Sequence, residues 1–279
     1  MKLRLPQRAT LDPIRPSAAV ASWYYGYVSK LVQEMQKDIE KEIFSQYPMS
    51  SVQLSKLIAR MGQRWEAAFS EKSAGIAQGF AARNLRSYDG SFKTALTKVG
   101  IPTEKLADRN AYGAMDAKEY PMLKPIGFQI TPRIQKTIDA GVKANVDLIK
   151  SIPEQYLSGV ARAVQDSVEK GRDTQGLAAE LRDTFDVANR RAGFIARDQN
   201  NKITASINQS RQLDLGITEA IWVHTAASLQ PRESHAEFDG ETYSIDEGVD
   251  FDDGFGPVLP GEAISCGCLS RSIIPGFDD

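Results

Sequence analysis

The stretch SINQSRQLDLGITEAIWVHTAA, residues 206–227, decides the fold, because its hydrophobic pattern changes period at Gly216. Before that glycine the residues continue a helical pattern, and glycine is the residue type that most often ends a helix in the left-handed conformation. After it, ITEAIWVHTAA is β-branched and aromatic, the first strand signal in the chain. The chain therefore reads as mainly α, with a helical N-terminal and middle body and a small α+β C-terminal module.

Toward the N-terminus the helical period recurs. Between residues 19 and 47, Val28, Leu31, Val32, Met35, Ile39, Ile43 and Phe44 form a stripe at steps of three and four, and Pro48 ends it. A second helix runs through Leu54, Leu57, Ile58, Met61, Trp65 and Phe69, with Gly75 or Gly79 as the expected break. From Ser87 to Gln129 the turn signals DG, GIP and KPIG predict a connector with short helices.

Thr131 and Pro132 then open a helix: a hydroxyl can accept from the free N–H groups, and proline suits a position that needs none. Its inward line is Ile134, Ile138, Val142, Asn145 and Ile149. Ser151 with Glu154 predicts a capping box and a separate helix through Tyr156, Val160 and Val164. Asp173 predicts a further start and Asp186 another, so this region is expected to be a set of antiparallel helices joined by tight turns. In RRAGFIARDQNNKITASINQSRQ, Ala192, Ala196, Gln199, Ile203 and Ile207 share a narrow face that invites close approach by another element. Arg190, Arg191, Arg197, Lys202 and Arg211 fall largely outside it. They suit either non-specific contact with DNA phosphates or a solvated face beside a buried polar cluster around Arg197 and Asn200.

Downstream of Gly216, ETYSI and CLSRSII are two more strand candidates, separated by DG, DDGFGP and PGE. A unit of about sixty residues buries little by itself, so it must lean on the helices, bind a metal, or do both. It holds both histidines, His224 and His235, and both cysteines, Cys266 and Cys268. Two His and two Cys complete a tetrahedral zinc set. Their spacing follows no common zinc-finger pattern. The other reading makes His224 a strand residue bonded to a loop and puts one cysteine in the core.

In PRESHAEFDG, Arg232 can pair with a loop carboxylate while Asp239 and Gly240 form a hairpin; alternatively His235 is a general base oriented by Asp239, although no nucleophile is indicated. GRDTQG lacks the Lys and Ser or Thr of a phosphate-binding loop, and DEGVDFDDGFG misses the ligand order of a calcium loop, leaving a loose calcium site on ligand type alone.

Composition narrows the classes. With 42% hydrophobic and 25% charged residues, the chain has the makings of a globular core rather than of a disordered protein. No apolar run of membrane-spanning length and no secretory leader is evident, and two cysteines one residue apart suit a reducing cytoplasm rather than a disulfide framework. From Glu219 onward there are 13 acids against two arginines, −11, which leaves 32 bases against 23 acids upstream, +9. A basic body tolerates nucleic acid, whereas an acidic module prefers a protein surface.

The helix IARDQNNKITASINQSRQLDLGITEAIWVH, then PRESHAEFDGETYSIDEG, then PGEAISCGCLSRSIIPGF resembles the C-terminal region of the phage Mu F-like minor head proteins, also called phage head morphogenesis proteins. The likeness runs from about residue 127 to the end. It divides the chain into a helical region 1–126, a helical middle region 127–216 and the acidic Cys-x-Cys module 217–279. Trp222, Arg232, His235, Gly240, Pro260, Gly261, Cys266 and Cys268 fall on motif positions. Gly267 stands where an arginine is common, and the extra cysteines of some members are missing.

The resemblance implies a non-enzymatic minor capsid protein of the virion. It would sit in few copies inside the capsid, near the portal and other capsid proteins and in reach of packaged DNA, after assembly in the host cytoplasm. Its rival from the residues alone is a metal-dependent hydrolase or nuclease using the His/Cys cluster, with zinc as the expected metal in either case.

Overall fold

The structure is a computed structural model that describes residues 10–47, 49–101, 103, 128–171, 173–225, 231–252, 254 and 256–274. Its elements are α1 (Ala18–Gln46), α2 (Ser51–Lys98), α3 (Pro132–Glu169), α4 (Thr174–Leu215), β1 (Glu219–Val223), α5 (Glu233–Glu237), β2 (Thr242–Ser244) and β3 (Leu269–Ser272). The protein is mainly α, as expected, with four long helices and one small antiparallel sheet, in the order β2-β1-β3, among the described residues.

Long helices replace several predicted short ones, because the apolar phase never breaks. The α2 helix runs 48 residues straight through Gly75, Gly79 and Gly90 and takes in the first part of the expected connector. Residues 104–127, with their remaining turn signals, lie outside the described residues. A reciprocal capping box starts α2: the Ser50 hydroxyl accepts the Gln53 N–H at 3.3 Å, and the Gln53 carboxamide accepts the Ser50 N–H at 2.8 Å.

Likewise α3 passes through Pro153. Ile149, Ile152, Tyr156 and Val160 stay buried on one face across the proline, so packing keeps the helix continuous despite the missing hydrogen bond. Ser151 caps nothing; its hydroxyl donates back to the Leu148 carbonyl at 2.8 Å. Asp186 also lies mid-helix in α4. The caps at Thr131, accepting from Ile134 N–H at 3.2 Å, and at Asp173, accepting from Gln175 N–H at 3.0 Å, are as predicted.

The chain divides into two units, and α2, α3 and α4 contribute to both. Residues 19–80 and 141–197 make a helical unit whose core contains Val28, Met35, Ile39, Ile43, Met61 and Phe69, with Tyr24 stacked on Phe80 at 4.3 Å. Phe44, placed in the inward stripe by its spacing, is instead 43% exposed, at the margin of the stripe in which Ile43 is fully buried. Gly79 matters here: a Cβ on it would sit 2.8 Å from the Trp23 ring. Gly79→Ala is expected to lower stability by about 1–3 kcal/mol through overpacking, which urea unfolding would measure.

The other unit comprises residues 1–18, 81–140 and 198–279, including the sheet. Gly216 closes α4 as predicted, at φ 85, with its N–H bonded to the Leu213 carbonyl and Ile217 N–H to that of Gln212. Those two bonds form a Schellman motif, which turns the chain directly into β1. All three predicted strands are present. The Leu11 N–H bonds to the Ser272 carbonyl at 3.0 Å, so residues near the N-terminus cover the outer edge of β3.

Packing between α2, α4 and the sheet is polar. Asn208 accepts from Tyr88 at 2.5 Å, Thr204 donates to Asn84, and Gln212 donates to Ser270 and Ser272 on β3. The buried arginine of this layer is Arg211, not Arg197, which is exposed. Position 211 stands one turn from both Ile207 and Leu215, and its phase carries it inward. Only 1% of Arg211 is accessible; it forks onto Asp89 at 2.9 and 2.8 Å and donates to the Gln129 carbonyl at 2.7 Å. Burial pushes the Asp89 carboxyl up, and the Arg211 hydrogen bonds oppose that shift.

Candidate metal centre

Each ligand is delivered by a different local device. Antiparallel pairing of Trp222 with Ser270 sets the end of β1, and His224 follows two residues on. Asp239 Oδ1 accepts the His224 backbone N–H at 2.7 Å. That contact gives Asp239 the job of closing the β1 end beside Gly240, whose positive φ of 86 makes the turn. His235 lies in α5, a single turn of helix. Its ring sits edge-on to Trp222 at 5.1 Å and beside Phe251 at 4.5 Å. Cys266 and Cys268 come from the approach to β3. Arg232 donates to the Ile264 carbonyl at 3.1 Å, a main-chain oxygen rather than the expected loop carboxylate.

These devices bring His235, Cys266 and Cys268 together, all buried, with their ligand atoms within 4.8 Å of one another. His235 Nδ1 is 3.5 Å from Cys266 Sγ and 3.8 Å from Cys268 Sγ. His224 is not part of that close group, although its Nδ1 lies 3.5 Å from Cys268 Sγ. Zinc–sulfur and zinc–nitrogen bonds of about 2.3 and 2.0–2.1 Å at tetrahedral angles imply S···N edges of about 3.6 Å. The observed separations match those edges, so the donor set fits such an ion in both chemistry and span. The group can hold a metal.

Electrostatics favour a thiolate here. The hydrogen bond from Cys268 lowers the Cys266 thiol to about 5, against the opposing effect of burial, and raises Cys268 correspondingly. The two thiols share their protons as a pair. Among the described residues His235 Nε2 is buried without a hydrogen-bond partner, so the histidine turns its only engaged nitrogen toward the sulfurs.

Sequence reasoning missed what holds the cysteines: Asp198 and Asn201 on α4, and Thr225, whose hydroxyl donates to the Gly267 carbonyl at 2.6 Å. The polar run DQNN was a visible signal, but nothing in the spacing linked it to residues more than sixty positions away.

A long-helical protein with a small sheet module and a buried His/Cys group is the class that fold and site define. Residues 158–271 match the family described as phage Mu protein F like protein. The chain is also similar to an uncharacterized protein of Haemophilus influenzae (strain ATCC 51907 / DSM 11121 / KW20 / Rd), 28% identical over 277 residues, covering 94% of this chain and 55% of that protein. The chain thus spans about half the length of this curated relative. No solved structure matches it. Among the described residues, no helix is long and apolar enough to cross a membrane.

Proposed function

We propose that this protein is a minor structural component of a tailed-phage head, held in few copies inside the capsid near the portal, with its C-terminal module closed by zinc through His224, His235, Cys266 and Cys268. The observation that carries the structural over the hydrolytic reading is the burial of all three close ligands. A catalytic zinc keeps one position open to water, whereas a structural one is closed by protein. His224, whose Nδ1 lies 3.5 Å from Cys268 Sγ, would supply the fourth ligand.

Quantitative peptide mass spectrometry on purified, nuclease-treated virions of the encoding phage tests the assignment. A few copies per particle are expected. Absence from the particles would overturn it and turn attention to the metal-hydrolase alternative.

Contact with packaged DNA is supported by a stripe on α4. Val187 and Phe194, 58% and 42% exposed, alternate with exposed Arg190 and Arg197, and these two arginines make no ion pair among the described residues. Both arginines are exposed and would meet phosphates on that face. Removing both should weaken non-specific duplex binding and reduce the slope of log K against log salt by about one unit per arginine. An unchanged slope, measured by fluorescence anisotropy, would exclude this face.

A further inference from the structure

The turn that presents the cysteines is strained. Ser265 adopts φ 57, a conformation unusual for a residue with a side chain, and Gly261 adopts φ 88. Backbone such as that of Ser265 persists only where the surroundings hold it. Two side chains of α4 do so on either side of Cys266. Asp198 Oδ1 accepts the Ser265 N–H at 2.8 Å, and Asn201 Nδ2 donates to the Cys266 carbonyl at 2.9 Å.

Positions 198 and 201 are three apart and share a helix face. Ala205 continues that face: a Cβ on Gly261 would come within 3.5 Å of its methyl group and 3.3 Å of the Cys268 carbonyl. Asp198 is itself buried and fixed by Lys202 at 2.8 Å, so its oxygen is held in place.

We infer that Asp198 and Asn201 are positioning residues for the metal centre, fixing the Ser265–Cys266 backbone so that both sulfurs face His235 before an ion arrives. The inference rests on the metal reading above. Groups that orient ligands in this way are typically worth 10–100-fold in metal affinity. The same two bonds would be mere anchors if they only fastened the module to α4, and Gln209 separates the cases. It lies on the same helix and donates to the Ile245 carbonyl at 2.9 Å, at the β2 end of the module.

The test uses the full chain, with Zn2+ titrated against a chromophoric chelator and Co2+ as a spectroscopic probe of thiolate coordination. Asp198→Ala and Asn201→Ala are expected to lose about 10–100-fold in zinc affinity and to alter the Co2+ thiolate bands. Gln209→Ala should keep wild-type affinity and bands while melting lower. Unchanged affinity in both Asp198→Ala and Asn201→Ala, or an equal loss in Gln209→Ala, overturns the positioning role while leaving the metal centre standing. If Asp198→Ala does not fold, Asn201→Ala decides the matter alone. A wild-type chain that takes up neither ion removes the metal reading itself, and this inference with it.

Discussion

Changing Cys266 to serine is expected to abolish stoichiometric zinc binding and to loosen the module built on β1, β2 and β3. Serine lacks the soft thiolate that the ion prefers, and only His235 and Cys268 would remain of the close group. Structural zinc sites contribute directly to folding, so chelation of the wild type should reproduce the loss. The affinity change should exceed the ~10–100-fold typical of residues that merely orient ligands. His224→Ala should be milder, because His224 touches Cys268 alone and its removal leaves three ligands. Metal content by mass spectrometry, together with thermal melts, checks both. A Cys266→Ser protein that retains a full equivalent of zinc would sink the assignment.

The second large effect concerns Arg211. Truncation to alanine leaves Asp89 beside an uncompensated polar cavity and strips a donor from the Gln129 carbonyl. Breaking a buried pair of this kind costs about 3–5 kcal/mol. Replacing both partners with apolar residues of similar volume, Arg211→Met with Asp89→Leu, should recover most of that loss, since no unpaired charge remains. A double-mutant cycle by urea denaturation reads both numbers. A loss under about 1 kcal/mol for Arg211→Ala, the range of exposed pairs, would contradict the burial described above.

Several elements were legible in sequence because their signals are local. The Schellman closure at Gly216, the caps at Thr131 and Asp173, and the three strand runs each depend on residues a few positions apart. False starts at Ser151 and Asp186 share one cause. A residue type that caps also occurs in mid-helix, as Ser151 does with its hydroxyl bonded back to a carbonyl, and only the continuity of the buried face tells the two apart. Glycines at 75, 79 and 90 misled in the same way. Gly79 is in the helix to let Trp23 approach, a reason that lies on another element.

The sequence by itself determined the fold class and the chemistry available to the site. Hydrophobic period is written residue by residue, and every histidine and cysteine of the chain lies in the last module, so no folding could recruit them from elsewhere. Tertiary structure alone decided which of them meet at close range and which groups hold them. It set His224 at the margin of the His235, Cys266 and Cys268 group, turned Arg211 inward to Asp89, and gave Asp198 and Asn201 their hold on the cysteine turn. The physical reason is distance along the chain: contacts across thirty to a hundred and twenty residues depend on helix register and strand pairing summed over whole elements, and no short-range pattern encodes that sum.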